Sequence, residues 1–245
     1  MLIEEAIEVF GHGFAFTRSF THPYFLERVG PLWVMRDGPR KKPEYRNEEW
    51  LVYGIPTGEA DAIIQANCRG RYAVCVFRTM EEPDTLLRQT WKAIAYRLQS
   101  TEMFFVHPLA KVPLANYDYA VERVTDQNMA DRLAIAAGTR QIRPEHLTES
   151  PPRLRQYVAL DKDEPVGWVR SIVCGESAWC SNMFVVPTHR RRGIAKALMA
   201  KMLADDRAAG IKANVLLASH VGAKLYPEVG YEPIGQLLLF KKQRR

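Results

Sequence analysis

The sequence predicts a two-domain α/β protein. A chain of 245 residues is long enough for two domains of this kind. An apolar content of 47% with 10% aromatics is enough to build ordinary buried cores. Short apolar runs typical of strands alternate with amphipathic stretches typical of helices. Between the halves, residues 109–116 follow Pro108, contain Pro113 and show no clear period. We therefore expect an N-terminal α/β domain at 1–112 and a second domain at 117–245.

The most informative segment runs from Asn182 to Leu198, NMFVVPTHRRRGIAKAL. An apolar, strand-like run ends at Pro187, a basic loop follows, and an alanine-rich helical pattern begins after Gly193. The first turn of a helix offers N–H groups without internal partners, and glycine lets a bulky anion approach them. Three consecutive arginines at 190–192 add forked donors suited to phosphate oxygens. The segment is typical of a pyrophosphate site, and the alternative is a solvated basic helix end.

Two common phosphate-binding loops do not fit this chain. A P-loop requires a Lys-Ser or Lys-Thr pair after its last glycine, and none follows Gly193. The nearest approach to a dinucleotide fingerprint is Gly11-His12-Gly13, which runs on to Phe16 where a third glycine is needed. The sequence therefore predicts neither a P-loop nucleoside triphosphatase nor a dinucleotide-binding fold.

The basic segment instead resembles the pyrophosphate motif of the GNAT superfamily of acyl-CoA-dependent N-acetyltransferases. That motif is Gln or Arg, any two residues, Gly, any residue, then Gly or Ala, and its fixed positions here are Arg190, Gly193 and Ala195. The family also expects an apolar strand ending in valine and proline three residues before the arginine. Val185-Val186-Pro187 supplies that strand end.

A second part of the chain carries the same resemblance. Ala213 to Ala218 reads as a short buried strand, and Ser219 then caps a predicted helix that ends near Gly230. In the superfamily this helix carries asparagine, alanine, tyrosine and glycine at fixed spacing, followed by an aromatic residue. The corresponding residues here are Ser219, Gly222, Tyr226, Gly230 and Tyr231, so serine replaces the asparagine and glycine replaces the alanine.

The order of the predicted elements agrees with a whole GNAT domain over roughly 117–245. The resemblance implies a mixed, mostly antiparallel central sheet flanked by helices. The predicted strands lie at 119–124, 156–160, 166–173, 179–186, 213–218 and 236–240, with helices at 129–137 and after Gly193.

The resemblance also implies the site and its chemistry. Acetyl-CoA is the expected acyl donor, a primary amine on a small molecule or protein is the expected acceptor, and Tyr226 is the expected general acid at the departing thiolate. The general base is open between Glu176 and ordered water. The residues expected to bind the cofactor are Phe184, Val185, Val186, Arg190, Arg191, Arg192, Gly193, Ile194, Ala195 and Ser219.

The N-terminal half contains a faint repeat of the C-terminal half. Aligning Tyr96 with Tyr231, an offset of 135 (231 − 96), sets TWKAIAYRLQSTEMFF against LYPEVGYEPIGQLLLF. Trp91 then stands at the place of Tyr226, and Gly58 stands at the place of Gly193 without any neighbouring arginine. This pattern indicates a degenerate second GNAT-like unit, against the alternative that two helix–strand segments align by chance.

Composition limits the remaining classes. Four cysteines and six histidines show no metal-ligand spacing, so no metal is expected. The N-terminus lacks a signal peptide and no apolar run approaches a membrane span, which predicts a cytoplasmic protein without membrane partners. The net charge of +6 comes without a nucleic-acid-binding motif, so no nucleic acid is expected. A catalytically silent acyl-CoA sensor stays open as the alternative function, and the assembly is open between monomer and homodimer.

Overall fold

The computed structural model describes residues 1–41, 44–81, 83–114 and 119–243. The chain divides into two compact units. The first contains the described residues of Met1–Phe105, together with Leu217–Ala223 and the segment from Pro233 onward, and the second contains Val106–Leu216 and Lys224–Glu232. This division differs from the predicted linear one, because two C-terminal segments belong to the first unit. Part of the predicted linker, 115–116, lies outside the described residues.

The first unit is a mixed sheet with helices. Its strands follow the order β1-β2-β3-β4-β11-β5, where β3 and β4 are parallel and the pairs β1–β2, β2–β3 and β4–β11 are antiparallel. The elements are α1 (Ile3–Arg18), β1 (Tyr24–Val29), β2 (Leu32–Asp37), β3 (Glu48–Val52), α2 (Thr57–Asn67), β4 (Tyr72–Arg78), α3 (Thr85–Ala93), β5 (Tyr96–His107) and β11 (Glu232–Lys242).

The C-terminal strand β11 completes the core of the first unit. It pairs antiparallel with β4, from Gln236 opposite Arg78 to Phe240 opposite Val74. Leu238 and Phe240 are buried in the same cluster as Trp50 and Trp91. A strand at 236–240 was predicted, but as the last strand of the second domain. The structure places it in the first unit, because its pairing partner is set by contacts between segments far apart in the sequence.

The second unit is a mixed, mostly antiparallel sheet with one long helix packed against it. Its strands follow the order β10-β9-β8-β7-β6, in which only β10–β9 is parallel. A two-residue turn, Lys162-Asp163, joins β7 to β8 with both residues at positive φ, as a tight hairpin requires. The elements are β6 (Ala120–Arg123), α4 (Gln127–Ala137), α5 (Pro144–Thr148), β7 (Leu154–Asp161), β8 (Glu164–Cys174), β9 (Ser177–Val185), α6 (Ile194–Ala208) and β10 (Ala213–Ala218).

The predicted helix from Ser219 to Gly230 is wrong. The structure has two short 3₁₀ turns there, Gly222–Lys224 and Tyr226–Val229. Pro227 lacks the N–H that a continuous helix needs at this position, and Gly222 lowers helix propensity. The serine still acts as a cap, because the N–H of Gly222 points to its Oγ at 3.4 Å.

The two units share a local pattern around two tyrosines. Tyr96 and Tyr231 each follow a residue with left-handed backbone, Ala95 at φ 65° and Gly230 at φ 94°. Each tyrosine ring also meets an aromatic ring edge-on: Trp91 lies 4.9 Å from Tyr96, and Tyr226 lies 5.6 Å from Tyr231. The offset of 135 residues thus relates backbone geometry as well as sequence.

The predicted fold class is confirmed as mixed α/β with a mostly antiparallel sheet flanked by helices. None of the helices in the described ranges is long and apolar enough to cross a membrane.

Candidate functional site

The parallel strands β9 and β10 separate at one end. Their pairing runs from Ala213 opposite Ser177 to Val215 opposite Trp179 and goes no further in the described structure, although β9 continues to Val185. The last part of β9 therefore keeps a neighbour only on the β8 side. Backbone groups that point away from β8 are left available to another molecule.

A bulge in β9 sets the direction of its last residues. Trp168 of β8 lies opposite Phe184, but Arg170 lies opposite Ser181, so β9 carries one extra residue between these pairs. Asn182 provides it with a left-handed φ of 53°. Such an insertion leaves one residue unpaired and redirects the strand beyond it.

Val185 directs its backbone toward the open side of β9. The N–H of Val186 donates to the oxygen of Val166 at 2.9 Å, so Val186 faces β8. In an antiparallel pair adjacent residues alternate, and Val185 therefore points its N–H and C=O away from β8. Its oxygen accepts a hydrogen bond from Nε of Arg190 at 3.0 Å, while its N–H has no partner within the described part of the chain.

The loop between β9 and α6 presents a row of N–H groups. A 3₁₀ turn at Pro187–His189 ends the strand, and Gly193 then precedes α6 with a left-handed φ of 81°. Arg191 also has a left-handed φ, of 62°. No described acceptor is bonded to the N–H groups of 191–195. Because these groups lie at the positive end of a 15-residue helix, they suit a multivalent anion.

The three arginines of the loop divide into two kinds. Arg190 folds back onto the strand end, where its guanidinium lies 5.8 Å from the ring centroid of Phe184. The side chains of Arg191 and Arg192 are exposed, and no acidic partner is recorded for either among the described residues. Arg190 thus braces the loop, whereas the other two are available to an anion.

A contact between His189 and Asp161 fixes the start of the loop. Nε2 of His189 lies 3.0 Å from Oδ2 of Asp161, and Nδ1 lies 3.0 Å from the hydroxyl of Thr188. Asp161 ends β7, so the contact ties the loop to the β7–β8 hairpin. The sequence offers no motif for this pair, because its members are 28 residues apart and meet only after the sheet forms.

Tyr226 is buried beside the second unit's sheet. It keeps 7% exposure and packs edge-on against Tyr231. Burial raises the pKa of Tyr226 well above that of a free tyrosine, and neighbouring Cys180 adds to the shift. The hydroxyl therefore stays protonated at neutral pH and acts as a donor.

A buried polar network links the sheet to α6. The hydroxyl of Tyr231 donates to Oδ1 of Asn214 at 2.6 Å, and Nδ2 of Asn214 donates to Asp206 at 2.7 Å. Asp206 also accepts from Ser171 and lies 3.3 Å from Arg155. Burial raises the pKa of Asp206 to about 6. These contacts hold α6, and with it the loop at its N-terminus, against β8 and β10.

Two expected residues occupy other places. Glu176 bonds Lys212 at 2.6 Å in the turn before β9, at the opposite end of that strand from Val185, and about 26 Å of extended chain separates the two ends. This position excludes Glu176 as a base at the open strand end. Ser219 is an exposed residue of the first unit. Within the described ranges, no group of three or more acidic, histidine or cysteine side chains could hold a metal ion.

Comparison with known protein families gives one match. Residues 152–233 match the sequence model of the acetyltransferase (GNAT) domain, a range that contains β9, the basic loop, α6 and Tyr226. No curated protein sequence matches the chain at a significant level.

Solved structures share the fold of this chain. A GCN5-related N-acetyltransferase from Kribbella flavida aligns with a TM-score of 0.64 at 14% identity, over 98% of this chain and 96% of its own. A GCN5-related N-acetyltransferase from Sphaerobacter thermophilus aligns with a TM-score of 0.57 at 18% identity, over 85% of this chain and 76% of its own. A tandem GNAT protein from the clavulanic acid biosynthesis pathway aligns with a TM-score of 0.57 at 12% identity, over 92% and 86%.

Proposed function

We propose that this chain, whose residues 152–233 match the acetyltransferase (GNAT) domain model, transfers an acetyl group from acetyl-CoA to a primary amine. The observation that carries the proposal is the meeting of two features at the end of β9. The unpaired N–H of Val185 lies at the open strand end, and the unpartnered N–H groups of 191–195 follow within the same loop. The first suits an acyl carbonyl and the second suits a pyrophosphate.

The N–H of Val185 is the donor for the acyl carbonyl oxygen. An amine that attacks a thioester places negative charge on that oxygen, and a fixed backbone N–H stabilises the charge without reorganising. The β9 bulge at Asn182 and the brace from Arg190 to the Val185 oxygen hold this donor in place. The neighbouring backbone of Phe184 and Val186 completes the strand end that we assign to the pantetheine arm.

The loop at 190–195 is the pyrophosphate site. Left-handed Gly193 lets the chain turn so that the N–H groups of Ile194 and Ala195 face one side, and Arg191 and Arg192 add two positive charges. The resemblance also implies Ser219 as a donor-binding residue, and this assignment stays a prediction.

Tyr226 acts as a hydrogen-bond donor to the departing thiolate. A free thiol has a pKa of about 8.5, whereas burial raises the pKa of Tyr226 far above its ordinary value. Full proton transfer from tyrosine to thiolate is therefore uphill, and a hydrogen bond stabilises the thiolate instead. The proton itself comes from the amine that has just been acylated, and we assign deprotonation of the incoming amine to water.

The four cysteines are free thiols, which fits the cytoplasmic location we propose. We expect no metal, nucleic-acid or membrane partner. The alternative function, an acyl-CoA sensor without turnover, is favoured by one observation: the only acidic side chain expected as a base, Glu176, lies at the wrong end of β9.

The test removes the charges of Arg191 and Arg192, which have no acidic partner among the described residues. We expect the double variant Arg191→Gln, Arg192→Gln to bind acetyl-CoA roughly a hundredfold more weakly, because each lost charge-assisted hydrogen bond is worth about 1.5–3 kcal/mol and solvent exposure reduces this. Calorimetric titration measures the affinity. Arg207→Gln removes an exposed arginine from the last turn of α6 and is the matched control, with unchanged affinity.

Amine-dependent release of free thiol from acetyl-CoA then separates the two functions. An acetyltransferase releases thiol with at least one amine of a broad panel, whereas a sensor binds acetyl-CoA and releases none. Unchanged affinity in the double variant shows that the loop is a solvated helix end and refutes the assignment of the pyrophosphate site.

A further inference from the structure

Arg170 of β8 is a buried cation with no acidic partner among the described residues. It keeps 9% exposure, and its only described hydrogen bond runs from Nη2 to the side-chain oxygen of Gln141 at 2.7 Å. Its Nε is fully buried and has no partner at all among the described residues. Burial lowers the pKa of Arg170 to about 10, and no charged neighbour offsets this shift. The guanidinium is nevertheless charged at neutral pH.

Arg170 lies beside the bulge of β9. It is opposite Ser181, and the side-chain amide of Asn182 donates to the same Gln141 oxygen that accepts from Arg170. Gln141 thus joins the arginine to the bulge residue. The arginine therefore stands within a few residues of the strand end that we assign to the acyl carbonyl.

The side chain of Arg170 lies on the sheet face opposite α6. The adjacent residue Ser171 bonds Asp206 of α6, and the backbone of Gly167 packs against Ile194 and Leu198 of the same helix. Side chains alternate along a strand, so Arg170 points to the other face, as Trp168 does. The loop with Arg191 and Arg192 leads into α6, whereas the side chain of Arg170 lies on the other face of the sheet.

A second buried arginine of the same unit has an acidic partner, although its Nε is also buried without a hydrogen bond among the described residues. Arg155 is 4% exposed, and its guanidinium lies 3.3 Å from the carboxylate of Asp206. Within the described part of the chain, Arg170 has a neutral amide oxygen in that role. A buried charge without a counter-ion is strongly unfavourable, so a ligand that supplies the missing anion gains from pairing with it.

We propose that Arg170 is the counter-ion for a carboxylate of the acceptor, so that the amine acetylated by this protein is a small amino acid-like molecule. This inference rests on the proposed acetyl transfer. A planar guanidinium carries several N–H donors in a fixed fork, and this geometry matches a carboxylate. A phosphate dianion fits less well, because it carries two negative charges and Arg170 compensates one of them. The second charge would be buried without a partner.

The experiment uses matched amine pairs and the full-length protein. Each pair consists of an amino acid and the amine that lacks its carboxylate: glycine with methylamine, β-alanine with ethylamine, and γ-aminobutyrate with propylamine. Thiol release from acetyl-CoA gives kcat/KM for every member. We expect the wild-type protein to favour at least one acid over its partner by a hundredfold or more.

The variant Arg170→Met keeps an unbranched, flexible side chain of smaller size and removes the charge. We expect it to lose the preference for the acid while its activity toward the uncharged partner and its affinity for acetyl-CoA stay within a factor of about three. Arg170→Lys keeps the charge but not the fork, and we expect it to restore part of the preference. We also expect the melting temperature of Arg170→Met to stay level or rise, because an unpaired buried charge has been removed.

Three results overturn the inference. Equal rates for acids and their partners in the wild-type protein do so while leaving the acetyl transfer intact. A preference that survives in Arg170→Met does so as well, whatever the melting temperature of the variant, since the arginine is then structural. If no amine releases thiol, acetyl transfer itself fails, and calorimetry of the three acids with the CoA-loaded protein decides: binding lost in Arg170→Met supports the carboxylate site, and absent binding refutes it.

Discussion

Single residues of the second unit are specialised by burial. Tyr226 and Arg170 are both largely removed from water, and burial shifts the two pKa values in opposite directions. The neutral tyrosine is favoured over tyrosinate, and the charged arginine is disfavoured. The tyrosine therefore becomes a persistent hydrogen-bond donor, whereas the arginine becomes a cation in need of an anion.

The variant Tyr226→Phe separates the hydroxyl from the ring. We expect kcat to fall roughly tenfold to a hundredfold while the affinity for acetyl-CoA is unchanged, because the packing against Tyr231 remains and only the donor to the thiolate is lost. Steady-state thiol release and calorimetric titration measure the two quantities. Tyr53→Phe makes the same chemical change in the first unit and serves as the control. Normal turnover of Tyr226→Phe with an efficient amine assigns the tyrosine a structural role.

At the scale of elements, the start of α6 depends on a backbone conformation. Gly193 adopts φ 81° just before the first helical residue, Ile194. Residues other than glycine pay a steric cost of about 1–2 kcal/mol there, although asparagine tolerates this region better than most. The position therefore combines two demands, a left-handed backbone and close approach of an anion.

Two substitutions at this position separate those demands. We expect Gly193→Ala to lower the free energy of unfolding by about 1–2 kcal/mol and Gly193→Asn to lower it by clearly less. Both place a side chain where the pyrophosphate approaches, so we expect both to weaken the binding of acetyl-CoA at least tenfold. Denaturant unfolding and calorimetry give the two results. If Gly193→Asn binds as tightly as the wild-type protein, the glycine serves the turn alone.

At the scale of the whole molecule, the two compact units are not consecutive in the sequence. The first unit takes β11 from the C-terminal end of the chain, and Leu237, Leu238 and Phe240 of that strand are buried. Each such side chain contributes roughly 1.5–3 kcal/mol when it is fully buried. A fragment that begins at 117 therefore carries a strand whose partner β4 has been removed.

Truncation tests this arrangement. We expect the fragment 117–245 to aggregate, because β11 then exposes a long apolar edge, and we expect the fragment 117–231, which lacks β11, to be more soluble. Size-exclusion chromatography of both fragments at equal concentration measures the difference. If the fragment 117–245 is monomeric and as stable as the full-length protein, then β11 does not need the other strands of the first unit.

The sequence by itself determined the local structure around the site. Pro187, the three arginines and Gly193 predicted the strand, loop and helix, because proline, glycine and charge act on their immediate neighbours. The strands at 156–160, 166–173 and 213–218 were equally clear from their apolar patterns. The helix predicted after Ser219 is wrong, because Pro227 lacks the N–H that a continuous helix needs there.

The tertiary structure alone decided which distant groups meet. The sequence does not show that β11 pairs with β4, that His189 meets Asp161, or that the pairing of β9 with β10 stops at Trp179. It also does not show that Arg170 lacks a carboxylate, because burial and ion pairing depend on side chains brought together from separate strands. Propensity and turn chemistry act over a few residues, whereas strand partners and buried charges are fixed by packing across the whole chain.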